Sequence, residues 1–392
     1  MARIYNFKVM EPASIEHLAT LRAKSGEEID REIYSFKDKG GRDVGLRFDL
    51  TVGMTRYVCS RKDLKLPAKL AAFGGMWRYD EPQYARFRWA HQWDLEIFGP
   101  PSVDSDAEVI DASNAILKRL GLERVTVKIG DRRVVEDFIR TKLRVKDQGK
   151  IVDLMRALDK VNKKTRAELE DEYLEKGIPK EQFKKLMELG ELSGPPDEVL
   201  QKASALHLSS TGELGKLLDA LNSRGVKNVE YSMSVVRGID YYTGIVFEAV
   251  DNAHPKLGSL FGGGRYDNLP HLFGRQDLSA TGAAGGVERE SMSMGESAQA
   301  RKTLAYVLWA NDDVYQEAVR VLSELRGAGA SADMARRGRS LAKQFEEADA
   351  SGVRWALIVG KRELSKGLVT LRNLAEHTEV EVPLADAVKR MS

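Results

Sequence analysis

The chain has 392 residues, with 61 Lys+Arg against 59 Asp+Glu, a formal net charge of +2, 42% hydrophobic and 31% charged residues. At roughly 100–200 residues per domain this is material for two or three domains, and the balance excludes a disordered tail and a globally basic nucleic-acid coat, though not a local basic surface. No apolar run approaches the ~20 residues of a bilayer span, and the start MARIYNFKVM lacks a signal-peptide apolar core. The single cysteine, Cys59, excludes an intramolecular disulfide framework and a thiolate metal cluster, so the expected setting is the cytoplasm, with no membrane partner.

In chain order, residues 1–100 read as an α+β segment. Ile33–Phe36 predicts a strand, Lys39-Gly40-Gly41 its turn and Val44–Phe48 the returning strand. Met76–Gly99 is rich in aromatics and arginines and ends in turn signals, which predicts two long antiparallel strands joined near Pro82. Asp104–Leu120 carries apolar residues at helical spacing. From Arg144 to Asn222 the composition shifts to Lys, Glu, Leu and Ala with helical periodicity, broken at Ser193-Gly194-Pro195-Pro196, and predicts a helical insertion over residues 144–222. Strand character returns at Ser234–Val250, and a glycine-rich stretch runs from Gly258 to Gly286. In the final residues, strand runs at Leu304–Leu308 and Trp355–Val359 enclose helical stretches at Val314–Arg326 and Ser340–Ala350. This predicts a separate α/β domain with a largely parallel sheet, dividing the chain into 1–300 and 301–392.

Four stretches carry candidate chemistry. Arg78, Arg86 and Arg88 lie on a segment with Asp80, Glu81, His91, Gln92 and Glu96. In strand periodicity Arg86, Arg88, Gln92 and Glu96 share one face, where arginines beside a carboxylate and an amide suit a polyphosphate and a zwitterion, or else form cross-strand ion pairs on a wet face. Val236–Gly244 places Arg237 beside Tyr241 and Tyr242 between glycines, a ligand contact or simply a Tyr-rich strand edge. Gly262-Gly263-Gly264-Arg265-Tyr266-Asp267 allows close backbone approach to a ligand, although a triple glycine usually marks only a turn. Gly282–Glu290 reads as a small-residue strand leading into a helix that starts near Val287 and presents Arg289. No P-loop and no first-strand GxGxxG appears, which argues against those nucleotide sites.

In this order the four become specific. The chain resembles the histidyl-tRNA synthetases, a class II aminoacyl-tRNA synthetase family. RYDEPQ…RFRWAHQ (Arg78–Gln92) looks like motif 2 and GGVERE (Gly285–Glu290) like motif 3, while VRGIDYYTG and GGGRYD look like the two family signatures. Leu46–Thr51 is similar to the family's substrate-ammonium segment, and Glu11-Pro12 to the end of motif 1. The resemblance implies an α+β fold: a class II antiparallel-sheet catalytic domain with the helical insertion, then a C-terminal α/β anticodon-binding domain. It also implies ligation of L-histidine to its tRNA through a histidyl-adenylate, with ATP as substrate, Mg²⁺ as the bridging counterion and a homodimer.

Residue by residue, the resemblance gives Arg78 and Arg237 the α-phosphate and substrate carboxylate, Asp49, Thr51 and Gln92 the ammonium, and Glu96 and Tyr242 the imidazole. Leu50 and Tyr241 complete the amino-acid pocket. Arg86, Arg88, Arg289 and Asp80 face ATP, and Gln83 the acceptor end. Arg336, Arg337 and Arg339 open a helix that is either a solvated face or a phosphate-contacting edge. The six histidines show no metal-ligand spacing, so no protein-held metal is expected, and Cys59 reads as a small buried residue.

Three departures stand out. The upstream half of motif 1 is missing, which predicts a weaker dimer. Ala90 stands where an aromatic usually stacks on adenine, and Asp80 replaces the usual Glu. Two rivals share the resemblance: the histidine-binding regulatory subunit of ATP phosphoribosyltransferase, and a non-catalytic tRNA-binding module. The intact Arg78, Arg237 and Arg289 and the C-terminal domain speak against both.

Overall fold

The computed structural model describes residues 1–23, 30–81, 84–161, 164–208, 211–236, 242–295 and 305–391. The chain forms two compact units, Met1–Gly295 and Glu296–Ser392.

The first unit contains strands β1 (Lys8–Val9), β2 (Ile15–His17), β3 (Ser35–Lys37), β4 (Asp43–Leu46), β5 (Ala68–Trp77), β6 (Trp89–Gly99), β7 (Val125–Asp131), β8 (Ser193–Gly194), β9 (Val229–Ser232), β10 (Ile245–Asp251), β11 (Ser259–Arg265) and β12 (Ser279–Gly286). Among the described residues, nine of them make one sheet in the order β1-β5-β6-β12-β11-β10-β7-β9-β8, and β2-β4-β3 make a small second sheet. The central run from β5 to β7 is antiparallel throughout. The expected pair of long strands is present as β5 and β6, in register from Trp77↔Trp89 to Ala68↔Phe98.

Alternation along β6 separates two environments. Trp93, Leu95 and Ile97 point into the large core, which includes Ala107 and Ile110 of the helix Val103–Arg119. That helix is well punctuated: the Ser102 side chain accepts from the Asp104 N–H, acids occupy its first turn and Lys118 and Arg119 its last. On the other face Leu70 and Phe98 pack with Leu50, Met54 and Val58 of the segment forming the helix Thr51–Ser60. Further along that same face stand Gln92, Asp94 and Glu96, all buried. An apolar floor thus gives way to a polar row where the helix Thr51–Ser60 begins.

Residues 148–223 are mainly helical: Gln148–Asp159, Arg166–Glu175, Lys180–Gly190, Pro196–Ala205 and Thr211–Ser223. Pro196 occupies a first-turn position, where its missing N–H is harmless, and the preceding Ser193-Gly194 forms the short β8. The strand expected over Ser234–Val250 resolves differently. Val229–Ser232 and Ile245–Asp251 are the strands, and Ser234 lies in the turn after β9.

The triple glycine is not a turn. Gly262–Gly264 sit inside β11, where a Cβ on Gly263 would lie 2.1 Å from the Gly282 carbonyl oxygen and 2.7 Å from the Phe247 ring. Glycine is required here by close strand packing rather than by chain reversal.

The second unit holds β13 (Ala305–Trp309), β14 (Ala332–Met334), β15 (Trp355–Val359), β16 (Leu368–Asn373) and β17 (Thr378–Pro383), ordered β14-β13-β15-β16-β17. Helices Tyr315–Gly327 and Leu341–Ala350 cover its core of Val307, Trp309, Val321, Leu325 and Leu357. The expectation of a largely parallel sheet holds only for β14, β13 and β15. The remaining pairs are antiparallel, because β16 and β17 are joined by the short turn 374–377, a connection only a hairpin can make. Among the described residues no helix is long and apolar enough to cross a membrane.

Candidate active site

Asp94 anchors the polar row. It is completely buried; its Oδ1 accepts from Gln92 Nε2 at 2.7 Å and its Oδ2 from Thr51 Oγ1 at 3.1 Å. Thr51 opens the helix Thr51–Ser60, and Asp49 Oδ1 accepts the Val52 N–H at 3.2 Å, so the buried Asp49 sits at that helix's positive end. Leu50 between them is fully buried against Met54, Tyr266 and Leu269.

Arg78, just beyond β5, donates through Nε to the Phe48 carbonyl at 2.9 Å and approaches Gln92 Oε1 through Nη2 at 3.4 Å. The first contact is a full hydrogen bond. The second is long, so the Gln92 oxygen is lightly held.

Glu96, one strand repeat further on, is 1% exposed and accepts from the Tyr266 hydroxyl. Its side chain lies flat over β12: a Cβ on Gly282 would sit 1.4 Å from Glu96 Oε2. Tyr242 packs beside this group in the cluster containing Leu50 and Tyr266, its ring 3.0 Å from where a Cβ of Gly264 would stand. Asp49, Thr51, Arg78, Gln92, Glu96 and Tyr242 therefore gather around one stretch of sheet face.

The remaining arginines are arranged differently. Arg86 and Arg88 stand just before β6, where the Arg88 carbonyl accepts from the Arg78 N–H at 2.9 Å. Arg86 forms a two-pronged pair with Asp80 through Nε at 2.7 Å and Nη2 at 2.9 Å; Asp80 is buried and Arg86 44% exposed. Arg88 donates to the Asp80 carbonyl at 3.1 Å and stacks 4.5 Å over the Tyr79 ring. Arg289 reaches from the helix Val287–Met294 to the carbonyls of Ala85 at 3.1 Å and Ser259 at 3.2 Å. Ala85 has φ +59°, a left-handed conformation uncommon for alanine, and Arg289 fastens that loop to the strand behind it.

Arg237, Tyr241 and Gln83 lie outside the described residues. Arg336, Arg337 and Arg339 are exposed on the loop before the helix Leu341–Ala350, which Ser340 caps, rather than on the helix itself. Arg337 stacks 4.8 Å over Tyr315, and Arg339 pairs with Glu347 at 3.1 Å. Ala90 is buried and its neighbour Trp89 is 53% exposed on the opposite face, as alternation requires.

The comparisons with known proteins bear on this geometry. The family model described as "Histidyl-tRNA synthetase" matches residues 1–289, and the anticodon binding domain matches residues 304–392. The chain belongs to the histidyl-tRNA synthetase family. It is 36% identical over 399 residues to the histidine--tRNA ligase of Pyrococcus furiosus, covering 99% of this chain and 91% of the relative, and 37% identical to that of Pyrococcus abyssi over the same shares. The crystal structure of histidyl-tRNA synthetase from Nostoc sp. PCC 7120 superposes with a TM-score of 0.86 at 25% identity, over 99% of this chain and 92% of that one. The fold is accordingly that of a class II synthetase, with antiparallel sheets and a C-terminal anticodon-binding domain.

Within this histidyl-tRNA synthetase chain the sequence reading passed over three buried groups. Asp94 shares the parity of Gln92 and Glu96, so the strand pattern was the signal that finds it. Arg265 pairs with the fully buried Asp106 at 2.6 Å and holds the Ser102 carbonyl at 2.7 Å, locking β11 to the helix Val103–Arg119. Burial pushes the Asp106 carboxyl up to about 6 despite that arginine. Arg47, 3% exposed, ties the Glu11 carboxylate at 3.1 Å to the Gly75 carbonyl at 2.8 Å, and so joins the Glu11-Pro12 segment to β5.

Proposed function

We propose that the chain ligates L-histidine to its tRNA in two steps, with histidine bound at the buried polar row and ATP along the arginines. The observation that carries this reading is the row Gln92, Asp94 and Glu96, buried mid-sheet against glycines and met at one end by Arg78. Buried polar groups are costly unless hydrogen-bonded, and a row of them on one stretch of sheet face suits a ligand of matching polarity.

In the first step the histidine carboxylate attacks the α-phosphorus of ATP; the bond to the β-phosphate oxygen breaks and pyrophosphate leaves. Negative charge builds on the α-phosphoryl oxygens, where Arg78 and Arg237 supply preorganised cations worth roughly 10²–10³ in rate. Asp49, Thr51 and Gln92 take the ammonium. Glu96, steadied by Tyr266, accepts an imidazole N–H while Tyr242 engages the other ring nitrogen, and Leu50 and Tyr241 close the pocket. Arg86, Arg88 and Arg289 hold the outer phosphates and Asp80 faces the adenine amino group. For Arg86 this means exchanging part of its Asp80 pair for phosphate. In the second step a hydroxyl of the terminal tRNA ribose attacks the adenylate carbonyl and AMP leaves.

Among the described residues no three of His, Cys, Asp and Glu converge on a metal position. Mg²⁺ would accompany ATP as the counterion of its phosphates. Residues 1–300, including the insertion at 144–222, form the catalytic part, and 301–392 read the tRNA, with Arg336, Arg337 and Arg339 as phosphate contacts and Gln83 at the acceptor end. A homodimer is supported by β1, the outer strand of the large sheet, which leaves Val9 72% and the nearby Ile4 67% exposed. The cytoplasm is the proposed setting.

Labelled histidine tests this directly. The full chain should transfer it from ATP-dependent activation to tRNA, whereas residues 1–295 alone should still release pyrophosphate but charge tRNA poorly. Failure of the full chain to charge any tRNA would remove the ligase reading.

A further inference from the structure

Thr51 and Gln92 are chemically ambivalent, since a hydroxyl and a carboxamide each donate and accept. An ammonium offers only N–H donors. A pocket made from these two side chains therefore favours an ammonium only if their own donors are committed elsewhere. Both are committed to one atom pair: Gln92 Nε2 to Asp94 Oδ1 at 2.7 Å, and Thr51 Oγ1 to Asp94 Oδ2 at 3.1 Å.

Position makes the arrangement rigid. Asp94 stands mid-strand in β6, completely buried, opposite Ala72 on β5 and Ala284 on β12, small residues that leave room for its carboxylate. Holding the Gln92 amide by its nitrogen turns Oε1 outward, where, among the described residues, the long 3.4 Å contact from Arg78 is the one that reaches it. Holding the Thr51 proton leaves that oxygen's lone pairs directed away from Asp94.

We propose that Asp94 is a positioning residue that converts Thr51 and Gln92 into pure acceptors and thereby sets the site's selectivity for a protonated α-amino group. The inference rests on the reading that the histidine ammonium lies at Asp49, Thr51 and Gln92. Asp94 itself acts one bond away, through the polarity of its neighbours.

The substitution Asp94→Asn keeps size and shape but can accept from only one of the two donors, so the other must turn round. In histidine-dependent exchange of pyrophosphate into ATP, the KM for histidine should rise about 10-fold or more while the KM for ATP stays within about twofold. Calorimetry with histidine and with imidazolepropionate, which lacks the amino group, should show the preference for histidine shrinking in Asp94→Asn. The exchanged pair Gln92→Glu with Asp94→Asn restores a donor–acceptor bond between the two positions and an outward acceptor, and should recover most of the histidine affinity. Equal changes in both KM values, no change in either, or a paired variant no better than Asp94→Asn would overturn the proposal. Loss of folding in Asp94→Asn with no rescue by the pair would likewise assign Asp94 to stability alone and overturn it. Wild-type protein that binds histidine without catalysing exchange would instead count against the reaction reading, and the calorimetric preference would still decide the role of Asp94.

Discussion

The two ends of the candidate site are built from opposite materials. At the end proposed for the amino acid, Gln92, Asp94 and Glu96 project from the interior of a strand, are at most 5% exposed, and are met by Thr51, Tyr266 and Arg78. At the end proposed for the nucleotide, Arg86 and Arg88 stand on the connection before β6 and Arg289 on a helix, and each is anchored to backbone carbonyls or to Asp80 while remaining at least partly exposed. The contrast matches what the proposed ligands would require. Distinguishing one amino-acid side chain from nineteen others requires desolvated groups of fixed polarity, because a missing partner is then left unpaired. Gripping a triphosphate requires charge, which tolerates solvent and movement.

The largest expected effect falls where the two ends meet. Arg78→Ala should lower the rate of pyrophosphate exchange roughly 10²–10³-fold with both substrates saturating, since it removes a cation from the transition state. A rate within a few-fold of wild type would detach Arg78 from the chemistry.

Next comes a substitution with no charge change. Gly282→Ala places a methyl where Glu96 Oε2 now lies, 1.4 Å away, so Glu96 must leave its position. We expect the histidine KM to rise roughly 10–100-fold with the ATP KM nearly unchanged. Equal loss for both substrates would mean that the two ends are not separable.

Arg86→Ala probes the wet end. Arg86 is 44% exposed, so screening moderates its pull. The ATP KM should rise about three- to tenfold, more at low salt than at high, with the histidine KM unchanged. An effect independent of ionic strength would place Arg86 in a role other than phosphate binding.

The smallest effect lies behind the sheet. Glu290 accepts from Trp93 Nε1 at 2.8 Å, and burial, with some repulsion from Glu288, pushes its carboxyl up to about 7 from the usual 4.5. A folded-state value above the unfolded one means that the folded chain binds the extra proton between those values. Stability from this group is thus full below about 4.5 and is lost as pH rises through 7. Glu290→Gln should abolish that dependence, leaving thermal stability unchanged near pH 5 and raising it by roughly 1–3 kcal/mol at pH 8. Parallel melting profiles for the two proteins from pH 5 to 8 would show that Glu290 does not titrate there.

How far the sequence was readable divides along the same line as the site. Strand alternation carried Gln92 and Glu96 to one buried face, because parity is a property of the local chain, and the same rule applied at every second residue reaches Asp94. At Arg86 and Arg88, just before the strand begins, the side chains follow a nearby acceptor, Asp80, which parity alone does not announce. Composition predicted a helical stretch over 144–222, where the helices run from 148 to 223, and the strand–helix alternation of the last unit. It missed the antiparallel β16–β17 hairpin, because turn 374–377 contains no glycine or proline to announce it, and His377 takes the left-handed conformation instead, with φ +53°. The triple glycine, for which the sequence left a ligand approach and a turn both open, shows the limit in another form. What Gly263 requires is the carbonyl of Gly282, nineteen residues downstream, and no local window contains both.

Histidine-dependent exchange of labelled pyrophosphate into ATP, run against a panel of amino acids, tests the central claim most directly, because it reads both ends of the site in one measurement. The account predicts exchange with histidine and a preference of roughly 10⁴-fold or more over amino acids lacking ring nitrogens. Histidine binding without exchange, or comparable exchange with leucine or phenylalanine, would contradict it.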